Sequence, residues 1–157
     1  MLPAPPITIR PFRPDDAEAV ASIVNTTMQR SNAADYPAEI ISRLVDYNTA
    51  ARHRALVEDG RETLVAEDAA GRLIGTGALD AGELATLFVL PEAQGLGVGR
   101  LLVDAIERLA RQRGLAEVTL RSSVTAVRFY ERLGYSRLGP PRETASGQQI
   151  PMGKPLG

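Results

Sequence analysis

Residues 84–100, LATLFVLPEAQGLGVGR, predict the centre of the fold. Residues 84–90 are apolar on both faces of an extended chain, which is typical of a strand buried in the middle of a sheet. The second half carries glycines at alternate positions, Gly95, Gly97 and Gly99, and a strongly amphipathic helix follows until Gly114. A buried strand that passes through a glycine-rich turn into a helix favours close approach of a ligand to the backbone.

Hydrophobic periodicity extends the prediction to the rest of the chain. The predicted strands lie at residues 7–12, 62–68, 73–79, 84–90, 117–121, 135–138 and 149–152. The predicted helices lie at residues 14–30, 37–47 and 49–58, from about residue 99 to 113, and at residues 123–133. The short turn between the second and third strands requires an antiparallel pair, and the helix after the glycine turn predicts a right-handed parallel βαβ unit.

Composition excludes several kinds of chemistry. The chain of 157 residues has no cysteine and one histidine, His53. A thiol nucleophile, a zinc–thiolate site and an iron–sulfur cluster are therefore excluded, and no metal site is expected. Lysine and arginine total 18 against 19 acidic residues, so no basic surface for nucleic acid is expected. Catalysis has to use carboxylates, hydroxyls, backbone amides or a cofactor.

Targeting signals are also missing from the sequence. The first six residues lack the basic and apolar regions of a signal peptide. No apolar run approaches the ~18 residues of a membrane span. We therefore expect one domain over residues 1–157, located in the cytoplasm and without a membrane partner.

The glycine-rich turn does not match the two most familiar nucleotide-binding motifs. A P-loop has Lys after its last glycine, whereas Gly99 is followed by Arg100. The dinucleotide pattern G-x-G-x-x-G, counted from Gly95 or Gly97, does not end on glycine. A turn of backbone N–H groups at the positive end of a helix still favours an anionic phosphate, with a plain flexible loop as the alternative.

Two segments resemble the GNAT superfamily of acetyl-CoA-dependent acetyltransferases. Residues 94–99, QGLGVG, resemble its Gln/Arg-x-x-Gly-x-Gly/Ala pattern, and residues 129–135, FYERLGY, resemble its Phe-Tyr-Glu-Lys-Leu-Gly-Phe segment. The order of predicted elements is similar over nearly the whole chain. The resemblance implies the α/β acyl-CoA N-acyltransferase fold, with a central, mixed and mostly antiparallel sheet and helices on both faces.

This resemblance implies transfer of an acetyl group from acetyl-CoA directly to a primary amine of a small molecule or peptide. The absence of cysteine favours the direct route, because the best acyl-carrying nucleophile is missing. One alternative is a non-catalytic module that binds acyl-CoA as a sensor or structural partner, and another is the use of a different acyl group. The acceptor and a homodimer remain open. Tyr36 and Tyr47 lie in the region of the family's acceptor pocket, where they either line it or pack.

The resemblance further implies a set of cofactor-binding residues. The backbone of Leu87 and Val89 is expected to pair with the pantetheine arm, and the Val89 N–H to face the oxyanion. Arginines are expected to neutralise phosphates, with Arg128 as a further candidate. Ser123 stands where many members have Asn and is expected to cap the next helix. The predicted residues are Leu87, Phe88, Val89, Gln94, Gly95, Leu96, Gly97, Val98, Gly99, Arg100, Ser123 and Arg132.

Two residues are predicted to move protons. Tyr130 is the expected general acid, since a phenol with a pKa near ~10 can protonate a thiolate whose conjugate acid has a pKa near ~8.5. The alternative for Tyr130 is packing, which is expected of Phe129. Many members carry a glutamate at the position of Ala85, and Glu83 on the same strand face is the predicted substitute, with a solvated carboxylate as the alternative. His53, between two arginines, is expected to be a solvated helix residue rather than a base.

Overall fold

The computed structural model describes residues 6–157, which form an eight-stranded sheet and five α-helices. Residues 1–5, where no leader was expected, lie outside the described residues. The strands are β1 (Thr8–Pro11), β2 (Glu62–Glu67), β3 (Leu73–Asp80), β4 (Glu83–Val89), β5 (Glu117–Ser123), β6 (Ser136–Arg137), β7 (Arg142–Thr144) and β8 (Gly147–Pro155). The helices are α1 (Ala17–Thr27), α2 (Ala38–Tyr47), α3 (Ala50–Glu58), α4 (Val98–Gln112) and α5 (Val127–Arg132).

The sheet confirms the mixed, mostly antiparallel prediction. The strand order is β1-β2-β3-β4-β5-β8-β6, and β7 pairs with β8. The neighbours β4 and β5 are parallel, and the other strand pairs are antiparallel. Helices cover both faces. A Cβ at Gly75 or Gly77 would contact side chains of α4, so this helix packs closely on β3.

An irregularity in β4 positions the site. The register between β3 and β4 shifts between Thr76 and Ala78, and Thr86 has φ 53°. A bulge of this kind bends the strand and increases its twist. The parallel register of β4 with β5 runs over Glu83 and Leu84. Beyond Leu84 the two strands separate, and a cleft opens between them.

Several boundaries differ from the sequence prediction. The first helix ends at Thr27 and continues as one π-helical turn, Met28–Asn32. At this junction the Thr27 hydroxyl donates to the Ile23 carbonyl at 2.7 Å, a type of bond that often bends helices. The last strand is longer than predicted, because β8 pairs with β5 along seven residues. The short strand β7 was not predicted. No helix among residues 6–157 is both long and apolar enough to cross a membrane.

Candidate active site

The cleft between β4 and β5 has a volume of about 850 Å³, which is in the range of small-molecule and cofactor sites. The glycine turn lies at one end of β4. Glu83 lies at the other end, six strand residues or about 20 Å away. The predicted cofactor residues line this cleft except Leu96, whose side chain is 65% exposed. Arg128 is exposed and is not among the lining residues.

The glycine turn presents unpaired backbone donors. Gly97 has φ 82° and immediately precedes α4. The Leu101 N–H makes the first hydrogen bond of this helix, to the Gly97 carbonyl oxygen at 3.0 Å. The N–H groups of Val98, Gly99 and Arg100 precede that bond and have no helical acceptor. A positive helix end with three such donors suits an anionic group.

The Gln94 side chain fixes the turn to the end of β4. Its Nε2 donates to the Val89 carbonyl oxygen at 3.1 Å and to the Ser31 hydroxyl at 3.3 Å. The Val89 carbonyl also accepts from the Thr27 hydroxyl at 3.3 Å. Gln94 therefore positions the turn through these bonds.

The backbone of Val89 points into the cleft. The Leu90 N–H donates to the Ile74 carbonyl at 2.9 Å, and Val89 pairs with Gly75. Hydrogen-bonded and non-hydrogen-bonded pairs alternate in an antiparallel ladder, so Val89 is a non-hydrogen-bonded position. Its N–H points away from β3, toward the side from which β5 has separated.

The hydroxyl of Tyr130 is accessible from the cleft, although its ring is packed. The residue is 6% exposed, with ring centroids of Phe129 at 5.2 Å and Tyr135 at 5.8 Å, both edge-on. Within residues 6–157 this hydroxyl makes no hydrogen bond. Every fully buried side-chain oxygen or nitrogen in these residues has a hydrogen-bond partner, so this hydroxyl is not fully buried. The hydroxyl is therefore open to the cleft that Tyr130 lines. Burial raises the pKa of Tyr130 well above its ordinary value, so the phenol stays protonated.

Glu83 lies on β4 and forms an ion pair across to β5. Arg121 donates from Nη2 at 2.9 Å and from Nε at 3.2 Å, both to Oε1 of Glu83. The Arg121 side chain is 62% exposed and the Glu83 side chain 32% exposed. Both residues line the cleft, as does Ala85. The predicted substitute carboxylate is therefore at the cleft, with one oxygen engaged by a guanidinium.

His53 is buried, so the expectation of a solvated residue was wrong. It is 6% exposed, and its Nε2 contacts Oδ1 of Asn48. The Asn48 amide nitrogen donates to the Ala21 carbonyl at 3.1 Å and to Oδ1 of Asn25 at 2.9 Å. Because that nitrogen faces a backbone carbonyl, the oxygen must face His53, and Nε2 carries the hydrogen.

The other ring nitrogen of His53 is the basic one. With the proton on Nε2, the neutral ring leaves a lone pair on Nδ1. Burial lowers the pKa of His53, and the charges of Arg61 and Arg52 lower it further, so the ring is neutral at pH 7. His53 lines the cleft. Its Nδ1 makes no hydrogen bond, and every fully buried polar side-chain atom in residues 6–157 has a partner, so Nδ1 is accessible. The sequence missed this buried imidazole because α1, which packs on α3, is distant from it in the chain.

The lining of the cleft also includes Tyr47, Arg52, His53 and Arg61, in addition to Glu83. The Arg52 guanidinium lies 3.6 Å above the ring centroid of Tyr47. Arg61 donates from Nε to Asp80 at 3.0 Å and from Nη1 to the Thr86 hydroxyl at 3.1 Å. The Arg52–Tyr47 contact joins α3 to α2, and Arg61, which precedes β2, contacts the end of β3 and the middle of β4.

The Tyr36 side chain links the segment after β5 to β8 at the wall of the cleft. The Tyr36 hydroxyl accepts from the Val124 N–H at 2.8 Å and donates to the Gln148 carbonyl at 2.9 Å. The role of Tyr36 includes packing, since its ring lies against Gly147. Ser123 makes no capping hydrogen bond, so that prediction was wrong: a 3-10 turn separates it from α5.

Comparison with known proteins gives a consistent result. A sequence model of the acetyltransferase (GNAT) domain matches residues 32–156. A mycothiol acetyltransferase of Stackebrandtia nassauensis is 37% identical over 147 residues, 86% of this chain and 46% of that protein. An IAA acetyltransferase of Azospirillum brasilense is 35% identical over 114 residues, 67% of this chain and 69% of that protein. Matches to several further curated acetyltransferases span 37% to 40% of those proteins' lengths.

Solved structures show the same fold. A GCN5-related N-acetyltransferase from Rhodopseudomonas palustris superposes with a TM-score of 0.84 at 28% identity, covering 99% of this chain and 98% of that one. The PaiA N-acetyltransferase from Thermoplasma acidophilum, solved in complex with coenzyme A, gives a TM-score of 0.80 at 21% identity, over 96% and 99% of the two chains.

Proposed function

The chain belongs to the GNAT family of acetyltransferases, and we propose that it transfers acetyl from acetyl-CoA directly to a primary amine of a small molecule or peptide. The observation that carries this proposal is one cleft with phosphate-suited donors at one end and proton-transfer groups beyond them. Acetyl-CoA supplies the acetyl group as an activated thioester. The remaining steps depend on side chains and backbone groups of this chain.

The glycine turn fits the pyrophosphate of the donor. Gly95 and Gly97 have no atom within 4 Å of a Cβ built on them, so their open side leaves room for a bulky anion. The three free N–H groups after Gly97 point out of the helix end, and Arg100 and Arg132 line the same part of the cleft. Guanidinium groups bind phosphate oxygens in a bidentate manner. The strand residues Leu87, Phe88 and Val89 then lead from the turn toward Glu83. We call that end of the cleft the acceptor end, because the amine acceptor is proposed to bind there.

The Val89 N–H and the Tyr130 hydroxyl suit the acyl-transfer step. A fixed amide that points into a cleft stabilises negative charge developing on the thioester oxygen. As the amine nitrogen bonds to the acyl carbon and the carbon–sulfur bond breaks, Tyr130 donates its proton to the leaving sulfur. The raised pKa of Tyr130 keeps the phenol protonated at neutral pH.

Two groups at the acceptor end are proposed to take the proton from the amine. Glu83 has one oxygen, Oε2, without an arginine contact. His53 presents the lone pair of Nδ1 and is neutral at pH 7, whereas its Nε2 is occupied by Asn48. A neutral imidazole held in one tautomer is well suited to general-base catalysis. The ion pair on Glu83 makes His53 the stronger candidate.

The decisive experiment is release of coenzyme A thiol with a panel of amines, amino acids and short peptides. Tyr130→Phe keeps the ring packing and removes the acid, so kcat should fall by about 10²-fold or more, with little change in coenzyme A affinity. Tyr135→Phe is the matched control, because its hydroxyl donates to Glu107 at 2.9 Å in the core. Full turnover by Tyr130→Phe would remove Tyr130 from the mechanism.

The base is tested by pH profiles of Glu83→Gln and His53→Gln. Since the pKa of His53 is lowered, activity that depends on it should fall only below the ordinary histidine value of 6.5. His53→Gln should lower kcat and abolish that acidic limb, while Glu83→Gln should keep it. The reverse pattern would assign the base to Glu83.

A non-catalytic acyl-CoA-binding module is the second candidate. The observation that favours it is Ala85 on the cleft wall, together with a Glu83 already paired to Arg121. Coenzyme A binding by calorimetry without thiol release for any amine, amino acid or peptide would support this candidate and reject the enzyme.

A further inference from the structure

We propose that the amine acceptor also carries a carboxylate, which Arg52 binds at the acceptor end of the cleft. This inference rests on the proposed function, because it identifies the substrate class of the same cleft. It starts from the distribution of charge along the cleft.

The cleft wall is strongly biased toward positive charge. One carboxylate residue, Glu83, is among its lining residues, against five arginines: Arg52, Arg61, Arg100, Arg121 and Arg132. Arg100 belongs to the glycine turn, and Arg132 lies on α5, the helix whose Phe129 approaches that turn at Gly99. Those two arginines suit the donor phosphates. Of the other three, Arg61 contacts Asp80 and Thr86, Arg121 contacts Glu83, and Arg52 lies on α3, so none of them belongs to the turn.

Two of these three arginines already have carboxylate partners. Arg61 is paired with Asp80 at 3.0 Å, and Arg121 with Glu83 at 2.9 Å. Arg52 differs, because no carboxylate within residues 6–157 contacts its guanidinium. Its charge is the one at this end of the cleft that a ligand can neutralise.

The position of Arg52 is also suited to recognition. The guanidinium lies 3.6 Å above the ring of Tyr47, and Tyr47 is 59% exposed. Stacking on an aromatic face restricts the side chain while its N–H groups stay free at the edge of the plane. Such an edge matches a carboxylate through two parallel hydrogen bonds. An isolated, solvated arginine would have no comparable restraint.

The neighbouring residue connects this anion site to the chemistry. His53 follows Arg52 on α3 and lines the same end of the cleft. Because both side chains line one cleft, a carboxylate held by Arg52 keeps the rest of the acceptor in the cleft that Nδ1 of His53, the proposed proton acceptor, also faces. An acceptor with amine and carboxylate close together, as in an amino acid, satisfies both contacts at once.

The test compares acceptors with and without the carboxylate, and kcat/KM is expressed per neutral amine, because removal of the carboxylate also changes the pKa of the amine. Thiol release is measured with the twenty common amino acids, their carboxamides and the corresponding decarboxylated amines. We expect at least one amino acid to exceed its carboxamide by about tenfold or more in kcat/KM. Arg52→Gln should remove this preference by raising KM for the amino acid far more than KM for the carboxamide, with KM for acetyl-CoA unchanged. The assay is run well above pH 6.5, where His53 is neutral with or without the charge of Arg52. Arg52→Lys should retain part of the preference, because it keeps the charge without the planar fork.

Arg43→Gln is the matched control, since Arg43 is exposed on α2 and does not line the cleft. It should behave as the unmodified chain. Equal use of amino acids and carboxamides, or a preference that survives Arg52→Gln, would overturn the inference. If no amine is acetylated, the proposed function fails, and calorimetry with the amino acids in the presence of coenzyme A decides the inference. Arg52-dependent binding then supports it, and absence of binding refutes it.

Discussion

The substitution Gly97→Ala should show whether the glycine turn binds the donor, because its effect on coenzyme A affinity can be measured apart from its effect on stability. Gly97 has φ 82°, and the Cβ of an alanine there would have no atom within 4 Å. The cost to folding is therefore backbone strain alone, about 1–2 kcal/mol for a left-handed residue. Gly71, in the turn between β2 and β3, is the matched control, with φ 83° and the same open surroundings. Gly97→Ala and Gly71→Ala should each lower Tm by roughly 2–8 °C.

Binding of coenzyme A should distinguish the two variants. Relaxation of the left-handed residue moves the N–H groups of Val98, Gly99 and Arg100, which precede the first helical bond at Leu101. Each hydrogen bond to a charged acceptor contributes about 1.5–3 kcal/mol. Loss of one raises the Kd for coenzyme A by about tenfold or more in calorimetry, and Gly71→Ala should leave it unchanged. Unaltered affinity of Gly97→Ala, with both Tm values lowered equally, would refute the phosphate-binding role of the turn.

Three further predictions concern stability, measured by urea unfolding. Arg10 holds the pKa of Asp16 below its ordinary value. The ionised carboxylate therefore stabilises the fold at pH values above the pKa of the unfolded state, and this contribution is lost as the pH falls through the lowered pKa of the folded state. Asp16→Asn should reduce the difference in stability between pH 7 and pH 3. Gly77→Ala should cost about 1–3 kcal/mol, because the new Cβ would lie 2.9 Å from Cδ1 of Leu87. Glu107 is 3% exposed and accepts from a lysine and a tyrosine, so Glu107→Leu should cost about 3 kcal/mol.

The sequence predicts the part of the site whose residues are contiguous in the chain. The apolar run of β4, the glycines after it and the start of α4 are contiguous, and the structure places them as one strand, turn and helix. Tyr130 belongs to a contiguous motif as well, and its hydroxyl does reach the cleft. The exception is Leu96, whose exposed side chain shows that a residue inside a motif can face solvent while its neighbours line the cleft.

The rest of the site depends on contacts between segments far apart in the chain. His53 stands between two arginines, a pattern typical of a solvated helix face, but α1 packs on α3 and His53 is buried. Asn48, which donates to the Ala21 carbonyl, fixes the tautomer of the ring. The ion pair of Glu83 with Arg121 joins positions 38 residues apart. Side-chain periodicity carries no information about such pairs, so the sequence could name Glu83 as a base without showing that it is already paired.

The bulge at Thr86 links the fold to the proposed chemistry. Without it, β4 would continue beside β5 and no cleft would separate them, since regular parallel strands lie about 4.8 Å apart. The same residue accepts a hydrogen bond from Arg61, which is also held by Asp80 and whose charge lowers the pKa of His53. The irregular strand thus helps Asp80 to hold a cation that adds to the effect of burial in keeping the proposed base neutral. Thr86 therefore contributes to both requirements of the proposed reaction, space for the donor and a deprotonated base.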